Sequence, residues 1–147
     1  MNTIEKLRAE QKNAMRARDK VRLGTIRLAL AAIKQDEVDM RKSLSEPEVI
    51  SILTKMVKQR KDSIAQYEAA GRQDLADIEA REISVVQDFL PRPLSSDELK
   101  VIIENAISTA SATSIRDMGK VMGLIKPQIE GRADMGLVGA DIKKRLS

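Results

Sequence analysis

The spacing of the apolar residues constrains the fold of this chain more than any other feature. Leu, Ile, Val and Met recur at steps of three and four along almost its whole length, and this spacing places them on one side of an α-helix. No stretch of useful length alternates apolar and polar residues with the period of two expected of a half-buried strand. No repeat of fixed length is visible either. The sequence therefore predicts an all-α protein.

Helix boundaries are predicted from residues that favour helix ends. Side chains able to accept a hydrogen bond from first-turn amides stand at Asn2, Asp19, Ser45, Ser95, Ser114 and Asp134. Glu48 and Glu98 complete two capping boxes. Gly71 is expected to end the third helix, and Pro127 with Gly131 to close the sixth. The apolar stripes of these helices predict a core that includes Leu7, Met15, Ile26, Ile33, Val49, Leu53, Ile78, Val86, Phe89, Ile103, Ile115, Val121, Ile125, Leu137, Val138 and Ile142.

Two prolines divide the chain. Pro91 and Pro93 lie in the stretch LPRPL, where they exclude helix and favour an extended connection. We predict a four-helix N-terminal subdomain over residues 1–90, a proline hinge over residues 91–94, and a small three-helix C-terminal subdomain over residues 95–147.

The composition removes several kinds of chemistry. The chain has no Cys, no His and no Trp, with one Tyr and one Phe. A thiol nucleophile, a disulfide, a histidine base and a zinc site of the usual ligands are therefore excluded. Carboxylates remain at Asp117, Glu130 and Asp134, but the two aspartates are better explained as helix caps. We expect no catalytic residue, no metal and no cofactor.

The same features bear on location. No apolar run approaches the length of a membrane span, and the first residues lack the apolar core of a secretory signal. Missing cysteine is compatible with a reducing compartment. We expect a cytoplasmic protein with no membrane partner.

Positive charge is concentrated in parts of the chain. The net charge is +4, and residues 1–34 carry nine Lys or Arg against three Asp or Glu. A second basic block, KMVKQRK, spans residues 55–61. Such patches suit a polyanion, usually a nucleic acid. The alternative for every one of these residues is an ordinary solvated helix surface.

Five of the seven glycines lie between residues 116 and 146. A phosphate-binding P-loop would need GxxxxGK followed by Ser or Thr, after a strand. Here Val121 follows Gly119-Lys120, Ser114 stands in place of the first glycine, and no strand precedes. The glycines are instead expected at helix ends or at close helix contacts, with Gly123 and Gly139 explained by packing. Lys120, beside a helix N-terminus, remains a candidate phosphate contact.

The stretch RDMGKVMGLIKPQIEGRAD resembles the signature of the GatB/YqeY family. This family contains the tail domain of the GatB subunit of the tRNA-dependent amidotransferase and free-standing proteins of the YqeY type. The stretches RDKVRLGTIRLALAAIK, VKQRKDSIAQYEAAGRQDLA and FLPRPLS are similar to the free-standing members. The resemblance covers essentially the whole chain.

This resemblance implies two helical subdomains and a link to tRNA. The amidotransferase tail engages the body of the tRNA, and similar modules appended to some glutaminyl-tRNA synthetases add RNA affinity. The family label, carbon–nitrogen ligase with glutamine as amido-N-donor, does not imply activity here, because the chain lacks a Ser–Lys amidase signature and a nucleotide site. The expected partners are tRNA or structured RNA, with an aminoacyl-tRNA synthetase or an amidotransferase.

The candidate RNA-binding residues form three groups. The tail group is Lys120, Lys126, Arg132, Lys143 and Lys144. The mid-chain group is Lys55, Lys58 and Lys61, beside Arg60. Because Arg60 lies on the apolar side of its helix, we expect it either to snorkel toward solvent or to pair with an acid. A third group is Arg16, Arg18, Lys20, Arg22 and Arg27. The alternative function is a helical protein–protein adaptor without RNA binding, since the Ala-rich LALAAIK permits close helix contact.

Overall fold

The structure is a computed structural model that describes all 147 residues, Met1–Ser147. Its seven α-helices are α1 (Thr3–Ala17), α2 (Lys20–Met40), α3 (Glu46–Ala69), α4 (Gln73–Gln87), α5 (Ser96–Ala110), α6 (Met118–Ile129) and α7 (Met135–Leu146). One 3-10 turn, Ile115–Asp117, leads directly into α6, and no strand is present. The prediction of an all-α protein is confirmed.

The chain forms two compact units, Met1–Pro91 and Arg92–Ser147. Helices α1–α4 belong to the N-terminal unit and α5–α7 to the C-terminal unit. Each unit has a buried apolar cluster made of its own residues. None of the helices is both long enough and apolar enough to cross a membrane.

The core of the N-terminal unit lies where α2, α3 and α4 meet, and α1 packs mainly against α2. Ile26, Leu53 and Val49 are almost completely buried there. Long-range polar contacts fix the helix ends around this core. The buried Thr3 at the start of α1 donates from its amide and its hydroxyl to the carboxylate of Glu46, the first residue of α3. These hydrogen bonds hold the first turns of α1 and α3 together.

The core of the C-terminal unit is built from one face of each of its three helices. The fully buried residues are Ile103, Val121, Ile125, Ile129, Val138 and Ile142. The extended segment before α5 is tied to the turn after α6, because the Leu94 amide donates to the Arg132 carbonyl at 2.9 Å. A residue ahead of the first helix therefore closes the unit against the loop between the last two.

Five of the six predicted caps are confirmed; Ser114 is the exception, because its side chain accepts no hydrogen bond from the turn that follows. Capping boxes are formed by Ser45 with Glu48 and by Ser95 with Glu98. Asp134 accepts from the Gly136 amide at 2.8 Å, and the same role is filled by Asn2 and Asp19 at the starts of α1 and α2. Gly71 ends α3 at φ 71°, a conformation that favours glycine.

Other expectations are wrong. Pro127 lies inside α6, which continues to Ile129 before the turn at Gly131. Pro127 removes one backbone hydrogen bond near the end of the helix, and the buried Ile129 keeps the last turn packed. Met15, Ile78 and Leu137 are expected in the core but are exposed. Each stands at the edge of its stripe, where spacing alone does not decide burial. Ile115 is exposed too, because it lies in the 3-10 turn ahead of α6.

Candidate nucleic-acid interface

The outer face of α6 exposes bare helix backbone between two lysines. Gly119 and Gly123 are exposed and one turn apart, and a Cβ built on either would meet no atom within 4 Å. Lys120 and Lys126 flank the two glycines. A helix turns by 100° per residue, which places one lysine on each side of them. Both lysines are exposed and neither takes part in an ion pair. We call these four residues the glycine–lysine strip.

The buried face of α6 shows which way this strip points. Val121, Ile125 and Ile129 are fully buried against α5 and α7, so the glycines must face away from the core. Pro127 has no N–H to donate to the Gly123 carbonyl one turn earlier. The expectation that Gly123 serves close packing is therefore wrong. Gly139 of α7 does lie in a packed position, because its built Cβ would meet the Met118 side chain at 3.7 Å.

Asp117 stands at the junction between the 3-10 turn and α6. The 3-10 turn precedes the helix, and the amides of Thr113 and Ser114 donate to the Asp117 carboxylate at 3.0 and 3.4 Å. These bonds lower the pKa of the Asp117 carboxyl below its ordinary value, and the nearby Lys120 ammonium lowers it further. These two amides, which lie ahead of the 3-10 turn, are thus occupied by a carboxylate. Asp117 thus caps the 3-10 turn, while α6 itself has no side-chain cap.

The last turn of α7 carries a second group of free cations. Lys143 and Lys144 are exposed and unpaired on the outer side of the helix. The third cation of this turn, Arg145, is instead held by Asp141 at 3.0 Å and lies 3.7 Å from Glu104 of α5. Of the three adjacent cations, two therefore remain available to a ligand.

Arg132 is placed differently from the other tail candidates. Its Nε donates to the Arg92 carbonyl at 2.9 Å, and its Nη2 lies 3.9 Å from the Glu98 carboxylate. Glu98 is also held by two hydrogen bonds from Arg92. The guanidinium of Arg132 thus helps to fix the segment before α5.

The mid-chain group lies on α3, in the N-terminal unit. Lys55, Lys58 and Lys61 are exposed and unpaired, and their spacing of three spreads them over about a third of the helix circumference. Arg60 lies on a different side of α3 and points toward α4. It donates to Glu82 at 2.7 Å and to the Met56 carbonyl at 3.3 Å, so of its two expected arrangements the structure shows the pairing with an acid.

The N-terminal basic group contains one paired residue and four unpaired ones. Arg22 bridges Asp88 at 2.7 Å and Glu10 at 3.2 Å, with its guanidinium 5.6 Å from the centre of the Phe89 ring. Hydrogen bonding to Asp88 raises the pKa of Arg22. The other four residues of the group, Arg16, Arg18, Lys20 and Arg27, are exposed and unpaired. No group of three or more carboxylates stands close enough to hold a metal ion.

The openness of Gly119 and Gly123 was the feature that sequence reasoning missed. A local signal was present, because the two glycines stand four apart on the side of α6 opposite its apolar stripe. A glycine on the polar face of a helix has no packing role and lowers helix stability.

Comparison with known proteins matches nearly the whole chain. A family model described as "Yqey-like protein" matches residues 4–146. Two similar curated proteins are both named "Altered inheritance of mitochondria protein 41, mitochondrial". The one from Kluyveromyces lactis is 39% identical over 87 residues, which cover 58% of this chain and 47% of that protein. The one from Lachancea thermotolerans is 28% identical over 153 residues, covering 99% of this chain and 82% of that protein. The chain thus spans about half the length of the first and most of the second.

The names of these relatives contradict the expected cytoplasmic location. Both are named as mitochondrial proteins, as is a third relative from Clavispora lusitaniae, 36% identical over 96 residues that cover 65% of this chain and 56% of that protein. The expectation depended on the absence of cysteine and on first residues that do not resemble a secretory signal. Neither feature separates the cytoplasm from a mitochondrion, so the expectation had no physical basis.

Proposed function

Because this chain belongs to the YqeY-like family, we propose that it is a non-catalytic module that binds tRNA or another structured RNA through its C-terminal unit. Its sequence resembles the tail of the GatB subunit of the amidotransferase, and we assign it a similar role. It holds the body of an RNA on which an aminoacyl-tRNA synthetase or an amidotransferase acts. The label of carbon–nitrogen ligase then describes the enzyme that contains such a tail, and no reaction step belongs to this chain.

The observation that carries this proposal is the glycine–lysine strip. An RNA backbone is bulky and charged, and it approaches a helix most closely where no side chain projects. Lys120 and Lys126 lie about 9 Å apart along the helix axis, one on each side of that opening. Their unpaired ammonium groups would neutralise phosphates and release counterions. Lys143 and Lys144 on α7 supply further charge in the same unit.

The kind of nucleic acid follows from the side chains that the surface lacks. Single-stranded binding needs exposed aromatic rings on which bases stack. The only Tyr is half-buried and the only Phe is buried. Double-helical RNA is recognised by its shape and by its backbone, with no aromatic platform. The proposed ligand is therefore a folded RNA such as tRNA.

The test is fluorescence anisotropy with labelled bulk tRNA over a series of salt concentrations, with duplex DNA of equal length as competitor. Four proteins are compared: the wild type, Lys120→Ala with Lys126→Ala, Lys143→Ala with Lys144→Ala, and Lys55→Ala with Lys58→Ala. A control variant, Lys12→Ala with Lys100→Ala, removes the same charge from exposed unpaired positions outside these groups.

We expect binding that prefers tRNA and weakens log-linearly with salt. The α6 variant should lower the slope of log K against log salt by about 1 for each lost phosphate contact. The control variant should retain the wild-type slope. Equal and weak binding to tRNA and DNA, or equal losses in the control, would show that the lysines are only surface charge.

A further inference from the structure

Helix α2 is apolar on two sides, and only one of them is covered. Ile26, Ala29 and Ile33 face the core of the N-terminal unit. On the outer side, Val21, Leu28 and Val38 are 43%, 51% and 58% exposed. A helix with apolar residues on both sides ordinarily has a partner on both sides.

The outer residues follow the spacing of a coiled-coil seam. Val21, Gly24, Leu28, Ala31, Gln35 and Val38 occupy successive steps of three and four, and all six are exposed. A strict alternation of these steps defines the a and d positions at which a second helix packs. Gly24 and Ala31 are small, and a Cβ built on Gly24 would meet no atom within 4 Å. The outer face of α2 can therefore receive a closely packed helix.

A row of cations runs along one side of this seam. Lys20, Arg27 and Lys34 are seven residues apart, which places them at intervals of about 10.5 Å along the helix. All three are exposed and none forms an ion pair. In heptad terms they hold the g positions, whose charge selects the partner and its orientation. The partner's facing positions should therefore be acidic.

A second copy of the chain does not meet this requirement. In an antiparallel pair of α2 helices the cationic row would face its own copy, and like charges would oppose the contact. In a parallel pair Lys20, Arg27 and Lys34 would face the e positions, Thr25, Ala32 and Asp39. Thr25 is buried and Ala32 is half-buried in the unit itself. Only one carboxylate is present among the three.

We propose that the outer face of α2 docks an amphipathic helix of a different protein, one with Asp or Glu at heptad intervals beside its apolar seam. Val21, Leu28 and Val38 contribute the apolar contact, and the cationic row selects the partner and its direction. A phosphate backbone would use the cations but leave these three apolar residues without a contact. The surface is separate from the glycine–lysine strip, so either site can fail without the other.

The probe is a synthetic three-heptad peptide with Ile at a, Leu at d and Glu at e and g, labelled with fluorescein. The comparison peptide carries Lys at e and g. Both are titrated with the full chain. Leu28→Glu interrupts the seam, and Ile78→Glu is the matched control, an exposed apolar residue of α4 in the same unit. A triple variant, Lys20→Glu with Arg27→Glu and Lys34→Glu, reverses the row. Circular dichroism checks that each variant is folded.

We expect the acidic peptide to bind and the basic one to bind weakly. Leu28→Glu should weaken binding of the acidic peptide by about tenfold or more, while Ile78→Glu leaves it unchanged. The triple variant should prefer the basic peptide. Three results would overturn the proposal: no preference for the acidic peptide, a wild-type dimer in sedimentation that Leu28→Glu dissociates, or tRNA binding that the triple variant abolishes and Leu28→Glu does not affect.

Discussion

At the scale of single residues, the charged side chains fall into those that hold the fold and those that face solvent. Arg60 belongs to the first kind. Its side chain is only 14% exposed, and it reaches Glu82 at 2.7 Å and Glu79 at 4.0 Å. It thereby joins α3 to α4 between two carboxylates that would otherwise repel each other. Lys61, the next residue, is exposed and unpaired.

Replacing Arg60 should therefore destabilise the protein far more than replacing its neighbour. We expect Arg60→Ala to lower the free energy of unfolding by about 2 kcal/mol, because it leaves Glu79 and Glu82 partly buried without a cation. Lys61→Ala should change it by less than about 0.5 kcal/mol. Urea denaturation followed by circular dichroism gives both values. Equal values for the two variants would contradict the structural role of Arg60.

Two capping carboxylates make the stability of the fold depend on pH in the acid range. The pKa of Glu98 is lowered to about 2, mainly by hydrogen bonds from Arg92 and also from the Ser95 hydroxyl. The pKa of Glu48 is likewise lowered to about 2, mainly by the Ser45 amide and by Lys42. In the unfolded chain these carboxyls return to the ordinary value of 4.5. Their contribution is therefore complete above pH 4.5 and disappears as pH falls through about 2.

We expect Glu98→Gln to lower the melting temperature at pH 6, where the wild-type carboxylate is charged in both states. The difference from the wild type should shrink between about pH 4.5 and pH 2, as the wild-type carboxylate becomes protonated. Melting curves of both proteins across this range measure the change. A difference that stays constant down to pH 2 would mean that the charge of Glu98 contributes nothing.

At the scale of the helices, α6 has glycines in places where the fold itself does not need them. Gly119 and Gly123 are helical, exposed and free of neighbours. Glycine in a helix interior destabilises it by roughly 0.5–1 kcal/mol relative to alanine. Gly131, after the helix, differs because its φ of 76° favours glycine. The sequence of α6 thus departs from the most stable choice only on its outer face.

Alanine substitutions should separate these positions. We expect Gly123→Ala to stabilise the chain by about 0.5–1 kcal/mol, and Gly119→Ala, in the first turn of α6, to stabilise it by less. Gly131→Ala should destabilise it by about 1–2 kcal/mol, since alanine is strained in the left-handed region. Thermal denaturation of the three variants tests this order. If Gly123→Ala also weakens tRNA binding, its stabilising effect excludes misfolding as the cause.

At the scale of the whole chain, the two units have separate apolar clusters. Leu53 is completely buried in the cluster of the N-terminal unit, and Ile103 is completely buried in that of the C-terminal unit. Neither cluster contains a residue of the other unit. A cavity made in one core therefore removes contacts only within that core.

Shortening the side chain of Leu53 or Ile103 should destabilise only the unit that contains it. We expect Ile103→Ala to lower the opening free energy of the slowest-exchanging amides in α5–α7 by about 2–5 kcal/mol. Protection in α1–α4 should be unchanged, and Leu53→Ala should show the reverse. Native-state hydrogen exchange resolved by residue measures both. Loss of protection throughout the chain in either variant would mean that the two units unfold together.

The limits of sequence reasoning show at particular residues. Ser45, Ser95 and Asp134 were identified as caps because a cap depends on residues two or three positions away. Leu137 was assigned to the core because it borders the stripe of α7, yet it is 72% exposed. Its burial depends on whether α5 or α6 covers that edge, which helical spacing does not reveal. Lys143 and Arg145, two residues apart, appear alike in the sequence although only Arg145 is paired.

The sequence by itself determined the helices, most of their ends and the family, since these depend on local spacing, on capping chemistry and on motifs contiguous in the chain. Only the tertiary structure decided which cations remain free. Arg22 meets an acid 66 residues away, and Arg132 meets a carbonyl 40 residues away. Such contacts arise when helices pack, because packing brings distant charges within hydrogen-bonding distance. The outer faces of α2 and α6 are available to partners for the same reason, since no other helix of their own units covers them.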